Sequence, residues 1–233
     1  MTSTKKELPV YGLTPFTMLD YPERTACIVW FAGCNLRCAY CHNPDIVLGS
    51  KGTMPINEIF TFLEKRQGLL NGVVLSGGEA TLYPDIAKVA AKIKQMGFDV
   101  KLDTNGTKPE IVQDLIKNNL VDYIALDYKA PQAQFKLVTG TNKYKKFNET
   151  LTNLCNEKSI PFEVRITVHT DLMNEDNVTT ILNDLKQKGY DGTCYIQNYR
   201  HTETLKQLNE QERILSTNEF KDSWPFKLDY RNF

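Results

Sequence analysis

Short apolar runs alternate with longer amphipathic ones along most of this chain. Cys27 to Gly33 (CIVWFAG) is a β-rich apolar run that ends in glycine and passes directly into CNLRCAYC, so it predicts a strand followed by a loop. INEIFTFLEKRQ (56–67) spaces Ile56, Ile59, Phe60 and Leu63 along one helical face, and GVVLSGG (72–78) predicts a buried strand ending in a glycine turn. The unit then recurs. A helix over 85–96 is closed by Gly97, FDVKLDTNG (98–106) gives a strand and turn, a helix runs from Pro109 to Leu120, and YIALDYK (123–129) is the next strand. A polar, helical stretch over 131–158 leads to the strand FEVRITVH (162–169), a helix around 174–188 stopped by Gly189, and the strand TCYIQNY (193–199). From Thr202 onward the pattern predicts one more helix and an aromatic end, SWPFKLDYRNF, packed on the rest.

Strands separated by helices imply right-handed crossovers and a parallel sheet covered on both faces. Six such units fall short of the eight that close a barrel, so the expected fold is α/β, an open partial (β/α)6 TIM-like barrel. Residues 1–233 are expected to form a single domain with its core at about 20–200, the leader and tail packing on it. Functional residues of such sheets gather at the C-terminal ends of the strands. Cys34, Gly77, Gly78, Glu79, Asp103, Asn105, Asp127, Lys129, His169 and Arg200 all end or follow a predicted strand.

Charge narrows the range of partners. The 28 basic and 28 acidic residues cancel, so there is no excess positive field to gather nucleic acid or anionic lipid. The leader MTSTKKELPVYGLTPF has two lysines but no apolar run of the signal-peptide kind, and no stretch approaches the roughly 20 apolar residues of a membrane helix. A soluble cytoplasmic protein is expected, with neither nucleic acid nor membrane as partner.

Three of the six cysteines (34, 38 and 41) crowd into eight residues, which points to a metal and not to disulfides. A short loop can wrap three thiolates around one centre. Three cysteines leave one iron of a [4Fe–4S] cube open to an outside ligand, whereas structural zinc usually closes its shell with four protein ligands. His42 would complete a Cys3His zinc site, but the second C-x2-4-C clip typical of zinc modules is missing. Cys27 and Cys194 lie within predicted strands and Cys155 on a predicted helix, where they read as small buried apolar residues.

With these residues in place, the sequence resembles the radical S-adenosylmethionine superfamily, whose CxxxCxΦC signature is met by Cys34, Cys38, Tyr40 and Cys41. GGE at Gly77, Gly78 and Glu79 looks like the family motif that holds the methionyl amino group, with Ala80 where the family has proline. LDTNG (102–106) and LDYK (126–129) look like later strand motifs of the glycyl-radical-enzyme activases. The leader up to His42, Asn43 and Pro44 is similar to that of anaerobic ribonucleoside-triphosphate reductase activating proteins, a branch similar to pyruvate formate-lyase activating enzymes.

The resemblance implies an oxidoreductase that chelates S-adenosyl-L-methionine at the open iron and cleaves it reductively to methionine and a 5′-deoxyadenosyl radical. The implied partners are a glycyl radical enzyme, here an anaerobic ribonucleotide reductase, and an electron donor such as flavodoxin or ferredoxin. Glu79, with Gly77 and Gly78 allowing close approach, would take the amino group. Asp103, Asn105 and Asp127 would meet ribose hydroxyls, the amino group or a monovalent cation, and Lys129 the carboxylate. Tyr40, His42, Arg165 (with Thr167 on the same strand face) and His201, with His169, are further candidates around the cofactor. Ion pairing at a barrel rim is the competing reading for Asp103, Asp127 and Lys129, and interior pairing for Arg165. Alternative functions stand beside this one: a small-molecule radical reaction such as the ring contraction that makes 7-carboxy-7-deazaguanine, or pyruvate formate-lyase activation, and, outside enzymes, a zinc-stabilised binding protein.

Overall fold

The computed structural model describes residues 10–49, 52–83, 85–221 and 223–233. The leader's two lysines, and the expectation for its N-terminal end, lie outside the described residues. The described residues gather into two compact units, one drawn from residues 10–35, 45–103 and 113–123, the other from 36–44, 104–112 and 124–233.

In the first unit β1 (Val10–Thr17), β2 (Ala26–Phe31), β3 (Gly72–Gly77) and β4 (Asp99–Thr104) lie side by side in that order. β1 runs antiparallel to β2, and the other neighbours are parallel. Parallel neighbours require a crossover, and α2 (Ile56–Glu64) and α3 (Ile86–Gln95) supply them, after a short α1 (Pro44–Leu48). The helices bury Ile59 and Leu63 of α2 and Ile86, Val89, Ala90 and Ile93 of α3. β2 and β3 read as continuous apolar runs because both their faces are covered. Tyr21, Ala26, Ile28 and Val74 form a buried cluster against which Trp30 and Tyr123 pack.

In the second unit β5 (Tyr123–Asp127), β6 (Phe162–Val168), β7 (Thr193–Asn198) and β8 (Lys227–Arg231) are parallel throughout. α5 (Gln132–Thr139) and α6 (Tyr144–Asn156) link β5 to β6, and α7 (Glu175–Gln187) links β6 to β7, while α4 (Pro109–Lys117) precedes β5. α7 opens with a capping box in which Asn174 and Asn177 satisfy each other's backbone N–H groups. The fold is α/β with a mostly parallel sheet that is open, as the alternation of elements implies.

The six expected strands are β2 to β7, and the helices expected between them are present. Two strands come in addition, β1 and β8. The helix expected from Thr202 onward is absent: residues 202–216 hold no helix, and a 3-10 turn (Thr217–Phe220) and β8 follow. The backbone groups that a helix would pair internally are spent elsewhere. Leu205 N–H donates to the Cys41 carbonyl and Lys206 N–H to that of Ala39, and Gln207 takes a left-handed φ of 48°. Among the described residues no helix is long and apolar enough to cross a membrane.

The C-terminal end of β3 lies backbone against backbone on the end of β2. Gly78 N–H donates to the Phe31 carbonyl at 2.8 Å and Glu79 N–H to that of Gly33 at 2.9 Å. A Cβ at Gly77, whose φ is +119°, would stand 2.3 Å from the Phe31 carbonyl oxygen, and one at Gly78 2.0 Å from that of Gly33. Both atoms belong to fixed main chain. Gly78→Ala is therefore expected to lower unfolding stability by about 2–3 kcal/mol, read as a fall in the urea midpoint at unchanged slope.

Candidate active site

β2 delivers the chain through Gly33 to Cys34, and β3 delivers it through Gly77 and Gly78 to Glu79. Glu79 is only 1% exposed, and its carboxylate accepts from the Thr81 amide at 3.1 Å and the Thr81 hydroxyl at 2.5 Å, capping the 3-10 turn Ala80–Leu82. That turn brings Tyr83 back over the cysteine approach. The Tyr83 hydroxyl donates to the Ala32 carbonyl at 2.5 Å, and burial and then the charge of Cys34 push its pKa upward. Asp103, at the end of β4, accepts from Ser76 Oγ and from Lys101 Nζ, both at 3.0 Å. Lys101 is 1% exposed and also donates to the Asp20 carbonyl at 2.7 Å.

The second unit holds the rest of the cysteine loop. Arg37 N–H donates to the Thr139 carbonyl at 2.8 Å and Ala39 N–H to that of Val138 at 3.0 Å, so the last turn of α5 grips the loop on both sides of Cys38. Cys41 N–H turns back to the Cys38 carbonyl at 3.1 Å. Asp127, at the end of β5, accepts from Arg165 Nε at 2.9 Å and from Lys129 Nζ at 3.0 Å. Burial alone would raise the Asp127 pKa, but Arg165 and Lys129 outweigh it and hold it down at about 2. For Lys129 burial works to lower the pKa, while Asp127, Tyr40 and Cys38 raise it, and the net shift is upward. Tyr40 is buried, with its hydroxyl donating to the Lys129 carbonyl at 3.3 Å and its ring 6.0 Å from the Lys129 ammonium.

The histidines differ from one another. His42 Nε2 lies 3.1 Å from the Arg200 carbonyl, which can only accept, so that nitrogen carries the proton, and burial lowers the ring's pKa. His169 is fixed between the Asn209 carbonyl and the Asp171 amide, which assigns it to the tail's anchorage. His201 is exposed, its ring 6.5 Å from that of Tyr199. Asn105 accepts from the Thr107 amide at 3.0 Å and hydroxyl at 2.7 Å and so shapes the turn after β4.

Comparison with known proteins decides the family. The sequence profile of the Radical SAM superfamily matches residues 28–187. The chain belongs to the radical SAM superfamily. It is 34% identical over 185 residues to a Methanocaldococcus jannaschii protein whose name assigns it provisionally to the glycyl-radical enzyme activating enzymes, covering 76% of this chain and 75% of that one. It is 28% identical over 185 residues to the pyruvate formate-lyase-activating enzyme of Clostridium pasteurianum, covering 76% of each. Its fold matches that of Streptococcus suis SuiB, solved with S-adenosylmethionine bound, at a TM-score of 0.65 and 12% identity, over 88% of this chain and 52% of SuiB. The chain thus spans about half the length of that protein.

Membership in the radical SAM superfamily implies a [4Fe–4S] cluster and S-adenosyl-L-methionine, and the residues fit both. None of Cys34, Cys38 and Cys41 is in a disulfide, and the loop that carries Cys38 and Cys41 is held by backbone hydrogen bonds from Arg37 and Ala39 to the end of α5, which leaves three thiols in eight residues for iron. Cys27, Cys155 and Cys194 are buried in β2, α6 and β7. Burial pushes the Cys27 and Cys155 thiols up to about 12 and about 11, as suits inert apolar side chains. Among the described residues no three His, Cys, Asp or Glu side chains are gathered tightly enough for a single metal ion, whereas a cubane spreads its cysteines over separate iron corners.

Lys101 and Tyr83 were not singled out by the sequence. Lys101 carried a signal, since strand alternation sets it on the same face as Asp103; Tyr83, after a turn, carried none. The Asp127 shift gives a signed test. An aspartate held down at about 2 contributes stability above the unfolded pKa near 3.9, and loses it as pH falls toward 2. The unfolding free energy lost in Asp127→Asn, about 2 kcal/mol at pH 6, should shrink steadily between about pH 4 and 2 in urea titrations.

Proposed function

We propose that this chain is a glycyl-radical-enzyme activating enzyme: it removes a hydrogen from a backbone glycine of a separate anaerobic ribonucleoside-triphosphate reductase. One observation carries the reading: a three-cysteine loop seated at a strand end, in a chain that shares about three-quarters of its length with proteins named as activating enzymes. When bound, the cluster and S-adenosyl-L-methionine supply a 5′-deoxyadenosyl radical by reductive cleavage.

The protein's own residues bind and orient. Cys34, Cys38 and Cys41 would hold iron, and Glu79 would take the methionyl amino group at the strand end that Gly77 and Gly78 seat against β2. Asp127, Lys129 and Arg165 together bear one net positive charge, which suits a carboxylate; Lys129 offers it. Asp103 and Asn105 would meet the ribose, and Tyr40, His42 and His201 would be the candidates for adenine contact. A monovalent cation at Asp103 or Asp127 would compete with ammonium and guanidinium groups already paired to them. The activity belongs to the cytoplasm, with the chain acting as one domain.

Incubation of the anaerobically reconstituted protein with S-adenosyl-L-methionine, dithionite and the reductase should produce a glycyl radical doublet in the reductase by electron paramagnetic resonance. Cys38→Ala should abolish both the doublet and 5′-deoxyadenosine formation. A protein that forms 5′-deoxyadenosine yet never yields the doublet contradicts the proposed partner.

A further inference from the structure

The cysteine loop is bonded to a surface whose charge is one-sided. From Tyr128 to Asn148 the chain has five lysines and no aspartate or glutamate, and residues 35–43 add Arg37 and no acid, in a molecule whose 28 basic and 28 acidic residues cancel overall. Lys129 faces Asp127 and Lys146 pairs with Glu149 just beyond that stretch, while Arg37, Lys136 and Lys145 are exposed and Lys143 is half-buried. Amid these charges Leu137 stands 59% exposed on α5. A cavity of about 420 Å³ between α5 and α6 is lined by Gln132, Phe135, Lys136, Asn142, Tyr144 and Lys145.

The surface is joined to the cluster loop by backbone. The Thr139 and Val138 carbonyls of α5 accept from Arg37 and Ala39, on either side of Cys38, and a Cβ at Gly140 would lie 3.3 Å from that of Arg37. Exposed cations on a helix that also carries an exposed apolar side chain have the make-up of a small transient protein interface, which combines apolar contact with charge. Electron transfer through space falls steeply with distance, so a donor has to seat itself against this loop.

We infer that the exposed face of α5 and the start of α6 is the docking surface for an acidic one-electron carrier protein. The inference rests on the proposed radical chemistry, which consumes one electron for each cofactor cleaved. Charge complementarity selects the partner: carboxylates rimming the carrier's redox centre meet Arg37, Lys136, Lys143 and Lys145, and the cavity between Lys136 and Lys145 admits one acidic side chain. The protein that surrenders its glycine hydrogen must bring that glycine to the strand ends, whereas an electron requires only closeness to the loop.

The test uses the full chain with its cluster reconstituted, driven in parallel by chemically reduced flavodoxin, which is acidic, and by dithionite, with 5′-deoxyadenosine as the readout. In the double variant Lys136→Glu, Lys145→Glu the flavodoxin concentration for half-maximal rate should rise about tenfold or more, with the dithionite-driven rate unchanged. Raising salt from about 50 to 300 mM should weaken flavodoxin-driven turnover of the unsubstituted chain far more than that of the variant. Lys136→Gln, Lys145→Gln should fall between the two, which separates lost attraction from a misfolded surface. An unchanged flavodoxin dependence overturns the inference, as does an equal loss with dithionite. So does a variant impaired only in making the reductase's glycyl radical under dithionite, which would assign the surface to that protein. Flavodoxin binding measured directly by titration keeps the two readings apart. An unsubstituted chain inert even with dithionite refutes the radical chemistry, while binding lost on charge reversal still upholds the docking surface.

Discussion

The site depends on main chain touching main chain at the ends of β2 and β3. Where the Gly33 carbonyl accepts from Glu79 and the Phe31 carbonyl from Gly78, there is no room for a side chain on either glycine. That closeness fixes the height at which Cys34 leaves the sheet relative to Glu79. It also lets Glu79 fold its carboxylate over the Ala80–Leu82 turn and bring Tyr83 to the Ala32 carbonyl. Ala80 in place of the family's proline costs little here, because the turn is already held by the Glu79 cap and by the Tyr83 hydroxyl.

In the second unit the corresponding constraint is electrostatic. Burying Asp127 raises the cost of its charge, and two cations within hydrogen-bonding reach reverse the balance, leaving a carboxylate that stays ionised to about pH 2. Arg165 arrives because it is the register partner of Asp127 on the neighbouring strand. Lys129 arrives because two-residue alternation from Asp127 puts both on one side of the chain. The rim ion pair and the cofactor role, set against each other by the sequence, are thus compatible: the paired group has a surplus positive charge. Asp103 is met in the same manner by Lys101 and Ser76.

The fold was legible where burial is two-sided. β2, β3 and β5 announce themselves as apolar runs, since covered strands have no polar face to break the pattern, and β4, β6 and β7 as β-rich alternations set between helices. β1 and β8 did not, because edge strands are half-wet: VYGLTPFT carries a proline and leaves Pro15 and Phe16 exposed, and KLDYR is mostly polar. The tail misled for a different reason. Leu205, Leu208 and Ile214 have helical character, but the Leu205 and Lys206 amides serve the cysteine loop and the Asn209 carbonyl serves His169. Local propensity yielded to tertiary hydrogen bonds that no sequence window contains. At the candidate site, the crowding of the three cysteines and the strand-end position of Glu79 could be read from the sequence, whereas the grip of α5 on the loop could not, being made by the backbone of Val138 and Thr139.

The central claim is that Cys34, Cys38 and Cys41 hold a [4Fe–4S] cluster with one corner open to S-adenosyl-L-methionine. Anaerobic reconstitution followed by iron and sulfide analysis, with electron paramagnetic resonance of the reduced protein before and after adding S-adenosyl-L-methionine, tests it most directly. The expected result is about four iron and four sulfide per chain and a spectrum that changes on adding the cofactor. A colourless protein holding only zinc, or a cluster whose spectrum is the same with and without S-adenosyl-L-methionine, would contradict it.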